Sequence, residues 1–309
     1  MQEGPPPRRP DRPAWRGAAL ILSADLCWGV SSSLAKLLLN RSAVTPAALT
    51  ALRVTIAFLV LLSILGPRRG RRLEARSEDL PLLSVVGLVG FAANSYCYYT
   101  TLSLTNVATA ILLIYLAPIF LALYEGLVLR RWPAPSTLAA IALAVGGCFV
   151  LVRGYDPGTL RLNLAGLGFG LTTAGAFATY TVASQRMLRA YDSWTVLLYG
   201  FGIGSAAWWV LFPLWASAGV ENSARTWSLI VAIALGGTLL PHGLFVRGLT
   251  YLPPTHATLL STMEPVIAAG VAYLVLGETM APAQYAGGLL VLAAVLLVQL
   301  RPEVPAEAG

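Results

Sequence analysis

Charged and hydrogen-bonding side chains interrupt otherwise apolar segments of this chain, and these side chains could do chemistry. An ionised group at the centre of a bilayer costs roughly 2.5–3.5 kcal/mol on insertion scales, so each one needs a reason. Glu264 lies about nine residues into such a segment, and Pro265, which lacks an N–H donor, follows it. A carboxylate beside a helix break could bind a cation, a proton or an amine. A structural pair with Arg or Lys is the alternative.

Two basic side chains raise the same question. Arg53 lies about seven residues into a second apolar segment, where it could hold a substrate carboxylate or make a structural ion pair. His242 follows Pro241 in a third segment. An imidazole titrates near neutral pH and can shuttle protons, although it could equally make a hydrogen bond between helices.

Aromatic and amide side chains could complete a binding site. Asn94 and Tyr98 are four residues apart and share one face of a helix. Further rings could form an aromatic wall for an amphipathic or planar substrate, or for a cation, and ordinary packing between helices is the alternative. The predicted substrate-binding residues are Trp28, Arg53, Asn94, Tyr98, Tyr115, Tyr180, His242 and Glu264.

Motifs for catalysis, metals and nucleotides are missing from the sequence. It has no HExxH, no clustered Asp pair and no GxxxxGK[ST] phosphate loop, and it contains two His. Cys27, Cys97 and Cys148 stand singly in apolar segments, which is typical of small buried residues. We therefore predict no catalytic residue, no metal site and no cofactor.

Membrane helices must position these side chains. Charged residues make up 11% of the chain and hydrophobic residues 57%, whereas soluble domains carry about 25% charged residues. A helix needs roughly 20 apolar residues to cross a hydrocarbon core of about 30 Å. Ten segments satisfy this, and the sequence predicts an all-α integral membrane protein with ten transmembrane helices. Their spans are 17–38, 46–65, 80–102, 107–128, 135–152, 163–185, 194–216, 226–249, 256–276 and 282–300.

The segments outside these helices predict the orientation. Residues 1–16, rich in Pro and Arg, are predicted to be a disordered cytoplasmic N-terminus, and residues 301–309 a cytoplasmic tail. With both termini inside, fourteen Arg side chains fall in cytoplasmic loops and four in outer loops. That asymmetry matches the positive-inside rule. The net charge of +7 thus reflects membrane topology, and no nucleic-acid partner is expected.

The two halves of the sequence repeat one another. A shift of 147 residues, without gaps, aligns Pro118 with Pro265, Pro135 with Pro282, Gly90 with Gly237 and Leu102 with Leu249. The predicted units, 17–152 and 163–300, contain five helices each. Because five is odd, the second unit must enter the membrane from the opposite side, which gives inverted repeats suited to alternating access. This favours a transporter. A membrane enzyme acting on a lipid is the alternative, and a receptor or assembly subunit is a third option.

The chain also resembles the drug/metabolite transporter superfamily, and within it the bacterial EamA-type permeases, over residues 17–300. The resemblance rests on Trp28-Gly29, Leu52-Arg53 with Ala57, Tyr98 to Leu102 followed by Ala108-Thr109, and Glu264-Pro265 leading to Leu276-Gly277-Glu278. It implies a multi-pass protein of a bacterial inner membrane and a small substrate such as an amino acid, often exported. It also associates the fifth helix of each half with subunit contact, so Gly146-Gly147 and Gly287-Gly288 allow a homodimer.

One departure from the family pattern separates the halves. Leu276-Gly277-Glu278 in the second half corresponds to Leu129-Arg130-Arg131 in the first, so the first half lacks the acidic residue. The prediction is a secondary transporter, with a site between halves that share a fold and differ in chemistry.

Overall fold

The computed structural model describes residues 13–69, 73–160, 163–211, 223–267 and 281–300, and over these ranges it contains helices and no strand. The helices are α1 (Ala14–Arg41), α2 (Pro46–Arg69), α3 (Ser77–Leu104), α4 (Val107–Val128), α5 (Pro135–Leu151), α6 (Leu164–Met187), α7 (Ser193–Leu211), α8 (Ala224–Gly248), α9 (Pro254–Ser261) and α10 (Pro282–Leu300). Each contains part of one predicted segment.

Local chemistry sets where several helices begin. Asn106, Asn163 and Ser223 cap α4, α6 and α8, because each side-chain oxygen accepts a hydrogen bond from the N–H three residues later, at 2.9, 3.0 and 3.2 Å. Proline occupies the first turn of α5 and α9, where its missing N–H costs nothing. At the end of α3, Lys36 donates to the carbonyls of Leu102 and Thr105 at 2.5 and 2.9 Å.

Six helices, α1 to α4, α7 and α8, are long and apolar enough to cross a membrane. Their outward faces carry exposed apolar side chains such as Leu59, Leu62 and Leu88. The protein is therefore a membrane protein that is helical and without strands over the described ranges. The count of ten crossings in two inverted units stays a prediction, as does the cytoplasmic location of both termini. Residues 1–12, 212–216, 268–276 and 301–309, on which parts of these predictions fall, lie outside the described residues.

Irregular backbone occurs at places that the 147-residue shift relates. A π-helical stretch, Val86–Ala93, interrupts α3, and another, Leu235–Leu239, interrupts α8. α4 breaks at Tyr115 and Leu116, and the helix that begins with α9 breaks at Thr262 and Met263 before it resumes over residues 264–267. Such bulges and breaks leave backbone groups free and are frequent at functional sites. Their equivalent positions support the repeat.

Contacts between helices follow the same pattern. α1 packs on α8, and α3 packs on α6. Gly90 of α3 lies against the ring of Tyr180, and its counterpart Gly237 of α8 lies against Ser31. At one side of the molecule α5 and α10 meet backbone to backbone: a Cβ atom on Gly147 would come within 2.8 Å of the Gly287 carbonyl. The glycines predicted to allow subunit contact thus include one pair that is used inside the chain.

Candidate functional site

A small cavity lies between α1, α2, α3, α4, α6, α8 and the broken ninth helix. Its volume is about 70 Å³, well below the roughly 300–1,000 Å³ of typical ligand pockets. In this conformation it is therefore too small for a typical small-molecule ligand. The lining residues are Trp28, Ser31, Ser32, Arg53, Asn94, Ser95, Tyr98, Tyr99, Ile111, Ile114, Tyr115, Phe177, Gly237, His242, Ser261 and Glu264. Seven of the eight residues predicted from the sequence are among them.

The two helix breaks meet in this cavity. Tyr115 stands at the break in α4, and its hydroxyl donates a hydrogen bond of 2.5 Å to Oε2 of Glu264, just after the break in the ninth helix. Both side chains are buried, with 4% and 7% of their surface exposed. No Lys, Arg or His of the described residues lies within ion-pair distance of Glu264. The hydroxyl of Tyr115 therefore partners the Glu264 carboxyl group where a cation could otherwise have done so.

Arg53 reaches the cavity from α2 and is also buried. Its Nη1 donates to the hydroxyl of Tyr99, and its guanidinium carbon lies 5.0 Å from the centre of the Tyr99 ring. Nε has no hydrogen-bond partner. Within the described ranges no carboxylate forms an ion pair with Arg53. A buried cation held only by a phenol keeps most of its hydrogen-bonding capacity for an anion.

His242 lines the cavity from within an aromatic layer. Its Nδ1 is 2.8 Å from the carbonyl of Thr238, and its ring centre lies 5.2 Å from Trp28 and 5.0 Å from Phe91. Tyr180 belongs to the layer behind the cavity: it packs 5.9 Å from His242 and does not line the cavity. These rings give the cavity a rigid apolar wall.

Polar groups from α1 and α3 complete the lining. Tyr98 donates to Oγ of Ser32 at 2.9 Å, and Oδ1 of Asn94 is buried without a hydrogen-bond partner. Ser31 and Ser32 were not predicted from the sequence. Helical spacing could have found them, since they lie three and four residues after Trp28 and share its face.

The model of the EamA-like transporter family matches this chain twice, over residues 15–153 and 164–300. The chain belongs to the EamA-like transporter family. Proteins of this family are the drug/metabolite transporters that the sequence resembles. This EamA protein is accordingly a multi-pass membrane transporter.

Individual relatives agree along nearly the whole length. An uncharacterized inner membrane transporter, YicL of Salmonella typhimurium, is 29% identical over 291 residues, which cover 92% of this chain and 95% of YicL. The threonine/homoserine exporter RhtA of Escherichia coli is 29% identical over 292 residues, covering 93% and 91% of the two chains. A protein of known crystal structure, 21% identical, shares the fold with a TM-score of 0.71 over 92% of this chain and 96% of its own.

Proposed function

We propose that this EamA transporter exports a small zwitterionic metabolite, such as an amino acid, across a bacterial cytoplasmic membrane by secondary active transport. The two five-helix units, inverted in the membrane, would open the cavity to each side in turn. Fourteen Arg side chains in the predicted inner loops support cytoplasmic termini. The substrate class is supported by RhtA, which is named for the export of threonine and homoserine.

The observation that carries this proposal is a buried cation and a buried acid in one cavity without an ion pair between them. Burial of a charge is costly unless a partner of opposite charge or strong hydrogen bonds compensate it. Arg53 and Glu264 each have one phenol as partner among the described residues. An amino acid supplies both missing groups: its carboxylate fits the guanidinium, and its ammonium fits the acid.

The remaining lining suits the rest of such a substrate. Asn94 and Ser32 offer hydrogen-bonding groups, and Trp28 and Phe177 offer apolar surface. A cavity of about 70 Å³ is too small for a whole amino acid, so side chains or helices must move before one binds. That requirement fits a conformation between two open states. The broken helices supply the backbone irregularity that alternating access uses in other transporter folds.

The alternative of a lipid-metabolising membrane enzyme receives no support. YicL and RhtA are both named as transporters. A receptor or assembly subunit without transport activity would bind no metabolite in the cavity, and the flux assay below distinguishes it. A homodimer remains an additional proposal, to be tested by the mass of the purified protein.

Purified protein in liposomes tests the proposal directly. Labelled threonine, homoserine and other neutral amino acids should exchange against the same unlabelled compound trapped inside. Arg53→Gln should slow exchange by about tenfold to a hundredfold, because a hydrogen bond to a charged group contributes about 1.5–3 kcal/mol. Arg153→Gln, in an exposed loop, is the matched control. Absence of exchange across a broad panel would refute the proposal, and an equal loss for amines without a carboxylate would show that Arg53 is structural.

A further inference from the structure

A second and larger cavity is a groove that runs along α6, between α3 and α4. Its volume is about 730 Å³, and it shares no lining residue with the central cavity. Phe120, Leu171, Thr172, Thr179 and Arg186 line it and are exposed, so the groove opens at the surface of the protein. Because α3 and α4 are long and apolar enough to cross a membrane, the surface between them faces lipid.

The wall of this groove is apolar. α3 contributes Val85 and Val89, and α4 contributes Phe120. The hydroxyls of Thr172 and Thr179, on α6, donate to carbonyls of their own helix at 2.9 Å each, so they are already satisfied. The wall therefore offers a ligand hydrocarbon surface, and a hydrocarbon chain that fills the groove gains packing contacts that a void would forfeit.

One end of the groove carries a positive charge. Arg186 lies in the last turn of α6, where its Nη2 donates to the hydroxyl of Tyr124, and its guanidinium carbon lies 5.9 Å from the centre of the Tyr124 ring. Within the described ranges no carboxylate forms an ion pair with Arg186. Glu125, beside Tyr124, accepts a hydrogen bond from Thr255 at 2.5 Å. A guanidinium has five N–H donors, so one phenol leaves Arg186 with donors for an anion.

The length of α6 places this charge at the membrane surface. Arg186 comes 22 residues after Leu164, the first residue of α6. At 1.5 Å per residue this separation is about 33 Å, slightly more than a hydrocarbon core of about 30 Å. The groove extends from Arg186 back to Leu171, which is about 22 Å along the helix and more than one leaflet of about 15 Å. A headgroup at Arg186 and a chain directed into the membrane thus match its two ends.

We propose that this groove is a binding site for an anionic phospholipid, with the phosphate on Arg186 and an acyl chain along α6 between α3 and α4. Arginine binds a phosphate through two parallel N–H donors, and basic pockets between membrane helices recognise anionic headgroups. Arg189, which follows Arg186 by three residues, adds a second positive charge to the same end of α6. A zwitterionic headgroup would bring its ammonium to this positive end, so an anionic lipid is favoured. The site lies apart from the central cavity and does not depend on the proposed substrate.

The first test measures the choice of headgroup. Native mass spectrometry of the full-length protein, with equal amounts of phosphatidylglycerol and phosphatidylethanolamine of the same acyl chains, should show preferential retention of phosphatidylglycerol. Arg186→Gln should lower the bound phosphatidylglycerol about tenfold, because hydrogen bonds to a charged group are lost. Arg76→Gln, at an exposed arginine next to the start of α3 and outside the groove, is the matched control and should leave it unchanged. Equal retention of the two lipids by the unmodified protein, or undiminished preference in Arg186→Gln, would overturn the proposal.

The second test asks whether the acyl chain occupies the groove. Thr179→Phe places a ring in the groove from an exposed position and should lower the bound phosphatidylglycerol at least fivefold. Ser63→Phe, at an exposed position of α2 outside the groove, should leave it unchanged. An equal loss in both variants would contradict the assignment to the groove.

Two further outcomes identify other occupants. If glycerol phosphate, which has no acyl chain, displaced phosphatidylglycerol at the same concentration as the lipid, the ligand would be a soluble phosphate ester. If Arg186→Gln and Thr179→Phe left lipid binding intact and slowed amino-acid exchange in liposomes, the groove would be a passage for substrate. Either result would overturn the lipid site. Absence of amino-acid exchange in the unmodified protein would refute the proposed function alone, since lipid retention is measured without substrate.

Discussion

The two broken helices share a backbone plan and differ in chemistry. α4 breaks at Tyr115 and the ninth helix at Thr262, which are 147 residues apart. Two residues further on, the first half has Ala117 and the second has Glu264. Duplication would explain the common break, and the side chains have since taken different roles: the first half supplies a phenol and the second supplies an acid. The comparison teaches that a symmetric framework can hold an asymmetric site.

The largest expected effect comes from removing the acid. Glu264→Gln should weaken amino-acid binding about tenfold to a hundredfold, because the ammonium loses a charged acceptor. Ala117→Ser, at the equivalent place in the other half, is the matched control and should change binding little. Calorimetric titration of both variants measures the contrast. Equal losses of affinity in the two variants would mean that binding depends on the helix breaks and not on the carboxyl group of Glu264.

A smaller effect is expected on stability where the halves differ in packing. Alanine at Gly90 would place a Cβ atom 2.5 Å from the buried ring of Tyr180, and alanine at Gly237 would place one 2.5 Å from the Cβ of Ser31, which no side-chain rotation can move away. Overpacking costs about 1–3 kcal/mol, so both changes should lower the midpoint of thermal unfolding in detergent, and Gly237→Ala should lower it more because the Ser31 Cβ is fixed to the backbone of α1. Gly146→Ala, at an exposed glycine with nothing near its Cβ position among the described residues, is the control. The reverse order would show that α1 moves away at Ser31 more easily than the Tyr180 ring rotates.

The smallest effect should come from the bond that joins the breaks. Tyr115→Phe removes the donor at 2.5 Å from Glu264 and keeps the ring. A hydrogen bond of this kind contributes about 1 kcal/mol net, so we expect a fivefold change in amino-acid affinity. Thr262→Val, the equivalent change in the second half, removes only a bond within its own helix and should alter affinity less than twofold. Similar changes in both variants would place Thr262 in the site as well.

Much of the lining of the cavity could be predicted because a membrane makes polar residues conspicuous. Arg53, Glu264 and His242 stand out in apolar segments, and each lines the cavity. Tyr180 illustrates the limit: hydropathy shows that a ring is buried, but only packing decides whether it lines the cavity or lies behind it. Ser31 and Ser32 were missed because small hydroxyl residues are common in membrane helices, where their hydroxyls bond to their own backbone, as Ser32 does to Trp28.

The fold, like the cavity lining, has features that could be predicted from the sequence and features that could not. Segment length and proline positions placed the helices, and the sequence shift indicated which of them correspond. The π-helical stretches of α3 and α8 could not be predicted, because a fifth-residue hydrogen bond arises from crowding between helices and has no simple sequence signature. Gly90 and Gly237 in these stretches can be read from the sequence. Why glycine is needed there is seen only in the structure, where each lies against a side chain of a neighbouring helix.

The backbone contact between α5 and α10 has a mechanical consequence. Gly147 and Gly287 bring the two helix backbones into direct contact, and within the described residues neither α2 nor α7 packs extensively on these two helices. If the cavity opens to alternate sides, the contact between α5 and α10 is expected to stay fixed as a hinge. The displacement of the other helices should then increase with their distance from it. Pairs of spin labels across α2 and α7 would therefore record the widest change in separation, and pairs across α5 and α10 the narrowest.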